Sequence, residues 1–413
     1  MKTVFFISLV MLLITNAAYS QLKNLDKRIE RKIKSKVDQK ADRSIDRALN
    51  KGEKAIDKEV NKTIQGNGAG TEEAVQPQTP FSANSKFDFI PGEKIIFYED
   101  FKNEAVGDFP SKWNTSGSGE IVTINGLEGK WLKLPDNTLS FPETKKTLPL
   151  HFTIEFDLYY PAGITRPPIT FGFTDTKNPA KEGIRYKKLF YFRIPHTLQE
   201  NIGYSTSAYS GHEITQGWPA GKMAGKQIHV SIAVSTQRIR LYMDEQKMFD
   251  LPKAFDPASL RNNFYFRAAD LLPAPKEGFY IANLRIAESG LDARSQLLKN
   301  RKYSTTGIYF NTGSAVIKPL SFGILKEIAD ILKEDQAIKI NITGHTDNEG
   351  SDAANLTLAN QRSASIEALL VKTFGIDGAR LKTDGKGASQ PLGDNNTPEG
   401  RAQNRRVEFS RID

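Results

Sequence analysis

The sequence predicts a multidomain chain: a charged helix near the N-terminus, an all-β antiparallel sandwich in the middle, and an α/β domain at the C-terminus. Three observations predict it. Residues 22–64 carry apolar side chains at steps of mostly four (Leu25, Ile29, Ile33, Val37, Ala41, Ile45, Leu49), which places them along one helix face. Residues 87–289 hold a series of short segments in which apolar and polar residues alternate, with no helical stretch between them. From residue 307 onward, strand-like and helix-like patterns take turns. A length of 413 residues agrees with several domains.

The first twenty residues have one lysine, an apolar run from Val4 to Ile14, and small residues at Ala18 and Ser20, the form of a cleaved secretory signal over 1–20. The run is shorter than the roughly 20 residues that cross a bilayer. Cysteine is absent, so no disulfide, thiolate ligand or cysteine-borne lipid is expected. Export without disulfides is commoner in bacteria than among small secreted eukaryotic domains.

Residues 21–65 are expected to form the charged helical segment. Residues 22–65 hold 14 Lys/Arg against 8 Asp/Glu, a net of +6 out of +9 for the whole chain. The rest is therefore nearly neutral and lacks the basic stripe of a nucleic-acid binder. Steps longer than 3.6 residues drift around the helix axis, which argues against a long left-handed coiled coil, and Gly52 weakens the helix midway. Two readings stay open: a solvated or partner-packed helix, or one lying on an anionic membrane surface. Residues 66–86, rich in Gly, Pro, Ser and Gln, read as a flexible linker.

In the middle region Phe152, Ile154, Phe156, Leu158 and Tyr160 share one strand face, and Ile228, Val230, Ile232 and Val234 repeat the pattern. Asp244-Glu245-Gln246 marks a hairpin. A transmembrane barrel would also alternate, with strands of about 9–11 residues. Most of these segments are shorter, and Pro167-Pro168 and Pro273-Ala274-Pro275 interrupt the connections. EDFKNEAVGDFPSKW and HVSIAVSTQRIRLYMDEQKMFDLP give residues 87–289 a resemblance to concanavalin-like or laminin-G-like jelly rolls.

Some members of that superfamily bind sugars, and those that cleave glucans use two glutamates with an aspartate between them along one strand. Glu155-Phe156-Asp157 begins that pattern, but Tyr159 follows where a second glutamate is needed. Retaining hydrolysis requires two carboxyls about 5–5.5 Å apart. Glu155 and Asp157 are therefore expected on a solvated strand face. Trp113, Trp131 and Trp218 are expected in the core rather than stacked on sugars.

Residues 290–306 read as a charged connector with a short helix from Ala293 to Leu298. Beyond it come a strand (Ile308 to Phe310), a helix with Pro319 in its first turn (Lys318 to Leu332), a strand (Ile338 to Ile342) and a helix stopped by Gly375 (Asn355 to Phe374). Strands from Leu381 to Gly385 and Val407 to Arg411 complete the domain.

Asp347 lies just past a strand end in a loop with Gly350, where its carboxylate can face outward. Arg362 is fifteen residues on, inside the following helix, and Asn355 precedes it by seven residues, about two turns, so both point the same way. A carboxylate, an amide and a guanidinium can then line one concave site. That set suits a ligand with an ammonium and a carboxylate on one carbon, the guanidinium taking the carboxylate in a fork and Asp347 the ammonium.

IYFNTGSAVIKP, GHTDNEGS, NLTLANQRS, DGKGASQP and NNTPEGRAQNRRVEF follow in order, and through them residues 307–413 resemble an OmpA-like peptidoglycan-binding domain. The resemblance implies that Asp347 and Arg362 hold the diaminopimelate side chain of the peptidoglycan stem peptide, with Asn311, Asn355 and Arg405 in secondary positions. Leu358-Ala359 and Arg362-Ser363 stand where many members have Leu-Ser and Arg-Ala, changes of small for small that leave the charged pair intact. For Arg405 and Arg406 a structural pairing role stays open.

Asp347, Glu349 and Asp352 lack the closing twelfth-position glutamate of a calcium loop, so no metal is expected. His345 is expected to be a strand-end hydrogen-bonding residue. No catalytic residue and no cofactor is expected. The expectation is an exported, non-enzymatic cell-envelope protein of the Gram-negative periplasm, associated with wall and outer membrane, that binds peptidoglycan and tethers the sandwich to it. Two alternatives are a wall-anchored enzyme cleaving glycans in the sandwich, and a hub whose basic helix and sandwich bind protein partners or a membrane surface. A glycan or an envelope protein is the expected partner of the sandwich.

Overall fold

The computed structural model describes residues 87–134, 138–144, 147–161, 168–175, 189–195, 201–206, 214–219, 223–255, 263–268, 279–290 and 293–413. The chain divides into two units, residues 1–78 and 79–413, and every described residue lies in the second. The expected signal, charged helix and linker over 1–86 fall outside the described residues.

Residues 94–288 form strands β1 (Lys94–Glu99), β2 (Trp113–Thr115), β3 (Glu120–Val122), β4 (Trp131–Leu134), β5 (Leu139–Pro142), β6 (His151–Tyr160), β7 (Ile169–Thr174) and β8 (Leu189–Ile194). They continue with β9 (Asn201–Thr206), β10 (Ile214–Pro219), β11 (Lys226–Ser235), β12 (Arg238–Met243), β13 (Gln246–Leu251), β14 (Asn263–Ala268) and β15 (Phe279–Glu288). One antiparallel sheet runs β13-β12-β11-β6-β15-β4-β3, with β1 also on β15; the other runs β10-β9-β8-β7-β14-β5-β2.

The period-two pattern explains the packing. In β6, Phe152, Ile154, Phe156 and Leu158 point to the second sheet and are fully buried, and β11 matches them in register, with Ile232 opposite Ile154 and Val230 opposite Phe156. Phe156 meets Phe171 and Phe266 of the second sheet edge-on, at ring separations of 5.3 and 4.9 Å. Trp113 and Trp131 are buried, Trp113 beside Phe97 and Phe101; the side chain of Trp218 lies outside the described residues. The expected hairpin joins β12 to β13, with Asp244 at φ +48° in its turn.

The C-terminal sheet has the order β16-β19-β17-β18, from β16 (Lys302–Thr305), β17 (Ile340–His345), β18 (Leu381–Gly387) and β19 (Val407–Arg411). Helices α1 (Ala293–Lys299), α2 (Phe322–Glu334), α3 (Asp352–Lys372) and α4 (Pro398–Asn404) accompany it. β17 and β18 are parallel, joined by α3, while β19 is antiparallel to β17 and β16. Ile324, Leu325, Ile328 and Leu332 of α2 meet Ile340 and Ile342 of β17 and Ile366 and Leu370 of α3 in one core.

Two elements depart from expectation. The stretch expected to be a connector holds its expected short helix, α1, but also supplies β16, which pairs along β19 as part of the C-terminal sheet. Residues 308–310 form no strand; only Phe310 bridges to Ile317, closing a loop in which Lys318 N donates to Tyr309 O at 2.8 Å.

The outer face of the β6-β11-β15 sheet corrects a further expectation. Glu155 and Asp157 are only 2% and 8% exposed, because the C-terminal domain covers them. Tyr309 donates its hydroxyl to Glu155 Oε1 at 2.6 Å. Arg285 donates to Glu155 Oε2 and to Thr306 Oγ1, both at 2.7 Å, and to the carbonyl of Gly92.

Candidate functional site

Two loops, the helix α3 and the C-terminal end of α4 present the expected residues. β17 ends at His345, and the next turn carries Thr346 and Asp347, with Gly350 at φ +90° before Ser351 caps α3 by accepting from Ala354 N. The helix then runs close against the sheet: a Cβ on Gly344 would lie 2.5 Å from the carbonyl oxygen of Ala359, and one on Gly385 would lie 2.6 Å from the amide of Asn360. Ser363 Oγ lies 2.6 Å from Asp384 O and 3.0 Å from Ala359 O, fixing the same contact. The small residues of GHTD, DGKG and LANQRS are thus what lets α3 approach.

Asn311, Asp347, Asn355, Arg362 and Arg405 all line one cleft of about 530 Å³. Asp347 is 8% exposed. Its Oδ1 accepts from Glu349 N at 3.2 Å, and its Oδ2 accepts from Arg405 Nη1 at 2.7 Å. Asn355, buried on the inner side of α3, donates from Nδ2 to Glu349 O at 3.0 Å and so braces the Asp347 loop. Asn311 is exposed at the opposite lip, where its backbone N–H donates to Val316 O at 3.1 Å.

Arg362 lies with its guanidinium carbon 4.7 Å from the Phe310 ring centre and donates Nε–H to Ser314 O at 3.0 Å. Among the described residues no carboxylate lies within ion-pair distance of it. Burial pulls its pKa below the ordinary arginine value, against the pull of Asp347. Arg405 differs: burial opposes its charge, but Tyr98 and Asp347 raise its pKa, and its guanidinium sits 5.5 Å from the Tyr98 ring. Arg406 pairs outside this cleft, donating to Glu408 Oε1 at 3.0 Å and to Gln390 O at 3.1 Å, so both arginines make ion pairs and only Arg405 makes its pair in the cleft. His345 is buried with Nε2 3.7 Å from Glu408 Oε2, and neither ring nitrogen makes a hydrogen bond among the described residues.

Sequence reasoning missed the other wall. The middle domain contributes Tyr98, Asp100, Asp157, His229 and Asn283 to the same cleft. A bulge in β15 between Ala282 and Arg285 puts Asn283 at φ +53°, and its Nδ2 donates to Asp157 Oδ2 at 2.7 Å. His229 Nδ1 lies 2.8 Å from Asp157 Oδ1. Burial lowers the His229 pKa, but the hydrogen bonds and charges of Asp157 and Glu155 win and push it up to about 10. Burial likewise works against the charge of both carboxylates, yet Arg285 and His229 hold Glu155, and His229 and Asn283 hold Asp157, below the usual range. The only available signal was the row of Glu155, Asp157, His229 and Arg285 on outward positions, which alternation alone assigns to solvent.

The OmpA family model matches residues 309–405, a segment that holds all five expected site residues and most of the length of the motifs. Residues 309–405 are an OmpA family domain. The chain is 39% identical over 103 residues to "Probable lipoprotein YiaD" of Escherichia coli (strain K12), covering 25% of this chain and 47% of that protein. It is 41% identical over 102 residues to "Peptidoglycan-binding protein ArfA" of Mycobacterium bovis, covering 25% of this chain and 31% of that protein. The chain thus spans less than half the length of these curated relatives. Among solved structures, the peptidoglycan-associated lipoprotein from Burkholderia pseudomallei aligns at 25% identity and a TM-score of 0.24, over 27% of this chain and 89% of that one.

Proposed function

We propose that the OmpA family domain binds peptidoglycan non-covalently, gripping the zwitterionic end of a diaminopimelate side chain, and so holds the middle domain against the cell wall. The observation that carries this reading is the Arg362 guanidinium, half-buried and without an ion pair among the described residues, in the same cleft as the Asp347 carboxylate. A desolvated arginine with free donors and an acid across a cleft suits a ligand bearing both charges. The ligand's carboxylate takes the Arg362 fork, and its ammonium joins Arg405 on Asp347. Asn311 and Asn355 shape the two lips. The relatives' printed names, which include peptidoglycan binding, support the ligand and a place in the cell envelope.

The reading has no bond-breaking step. A glycosidase needs a carboxylic acid with a raised pKa, and Glu155 and Asp157 are both shifted the other way by their cationic partners. The test is pelleting of the full chain with purified sacculi, for the parent and for Asp347→Ala, Arg362→Ala and the double variant. Removing one member of a desolvated charged contact costs roughly 2–5 kcal/mol, enough to empty the pellet. Undiminished pelleting of the double variant refutes the site.

A further inference from the structure

We propose that the cleft is a two-domain site, in which the middle domain reads the peptide segment next to the clamped zwitterion; this rests on the peptidoglycan reading above. The cleft volume of about 530 Å³ falls in the range of roughly 300–1,000 Å³ that encloses drug-sized ligands. An amino-acid head group fills only the part between Asp347 and Arg362.

The remaining space faces the middle domain, and its wall is rich in acceptors. Asp100 stands at the end of β1, and the exposed Asn283 is held by Asp157 with its carbonyl oxygen free of any hydrogen bond among the described residues. Their partners in a bound peptide are its amide N–H groups. Lys318, exposed at the mouth and without an ion pair among the described residues, suits a peptide carboxylate.

The two walls are also fixed relative to one another. Thr312 Oγ1 donates to Glu128 Oε2 at 2.9 Å on one lip. Lys102 pairs with Glu349 on the other, and Lys112 Nζ donates to Glu399 Oε1 of α4 at 2.8 Å. Acceptors held in place by the fold select a peptide at little ordering cost.

Calorimetric titration of the full chain tests this, with free diaminopimelate and with a stem tetrapeptide containing it as the two probes. The parent should bind the tetrapeptide at least about tenfold more tightly, as one or two added hydrogen bonds allow. Asn283→Ala and Asp100→Asn should each weaken the tetrapeptide by about five- to tenfold while leaving the free amino acid within about twofold. Equal affinity of the parent for both probes, or equal losses for both in the variants, overturns the two-domain site and leaves the clamp standing. If the parent binds neither probe, the clamp falls and the two-domain site with it.

Discussion

Arg405 reaches across to Asp347, its Nη1 2.7 Å from Oδ2, while its guanidinium lies 5.5 Å from the ring of Tyr98 in the other domain. One side chain from the last third of the OmpA family domain therefore links the candidate acid to the middle domain. Replacing Arg405 by alanine leaves a nearly buried carboxylate without its cation. We expect wall pelleting to weaken by about tenfold and the thermal midpoint to fall by a few degrees, since a partly exposed pair is worth about 1 kcal/mol or a little more. Unchanged pelleting would place Arg405 outside the site.

Breaking the buried ion pair beneath the cleft should be costly. Arg285 and Glu155 are 5% and 2% exposed and hydrogen-bonded at 2.7 Å. Arg285→Met leaves the carboxylate with only the Tyr309 hydroxyl and the more distant His229, its charge partly stranded, and urea unfolding should register a loss of about 3 kcal/mol. Adding Glu155→Gln removes the stranded charge and should recover part of the loss. A double variant as unstable as the single one would mean that the charge is not the cause.

His229 gives a pH dependence of defined sign. Its pKa stands at about 10 in the folded chain, above the ordinary 6.5, so the protonated form is the one that folding favours. The contribution is complete below about pH 6.5 and is lost as pH rises through about 10. The stability gap between the parent and His229→Gln, from urea midpoints, should therefore be widest near pH 6 and narrow steadily to pH 10.5. A gap that is flat across that range contradicts the assignment.

Glu99 acts in the opposite sense to the paired acids. It is buried and its carboxyl accepts, among the described residues, only the amide of Phe101, and burial pushes its pKa from 4.5 up to about 7. The folded state then holds a proton that the unfolded state releases, so stability falls as pH rises from about 4.5 to about 7. Glu99→Gln keeps the acceptor and removes the charge. It should stabilise the chain at pH 8 by about 1–3 kcal/mol and do little at pH 4, as read from paired urea titrations.

The glycines beneath α3 offer a purely steric test. At Gly344 an added methyl would sit 2.5 Å from backbone, which no rotamer change can relieve. Gly344→Ala should cost about 2–4 kcal/mol and lower sacculus pelleting in parallel, because α3 carries Asn355 and Arg362. Full stability in that variant would show that the helix can lift away without loss.

The parts legible in the sequence were those that local rules decide. Alternation placed Phe152 to Tyr160 and Ile228 to Val234 on inward faces, and helical arithmetic put Asn355 and Arg362 on one side of α3. Asp347 could be located because a strand end and a glycine follow one another within a few residues. The far wall was not legible, since Glu155 and Asp157 look the same on a strand whether water or another domain lies above them. Burial there depends on Tyr309 and Thr306, about 150 residues downstream, and no period or cap encodes that encounter. The exit from the middle domain misled for a related reason: charged residues from 290 to 306 suggest a connector, yet backbone pairing to β19 makes Lys302 to Thr305 a strand.

That short strand has a consequence for the way the protein can be divided. β16 covers the edge of β19, whose Val407 and Phe409 are buried core residues. A fragment beginning at residue 307 would carry the whole family match but leave β19 with a row of open backbone donors and acceptors, a template for pairing with another copy. A fragment beginning at 290 keeps β19 paired and leaves the four-residue β16 as the edge, a shorter template. The shield against self-association is thus borrowed from chain that belongs, by sequence, to the passage between the domains.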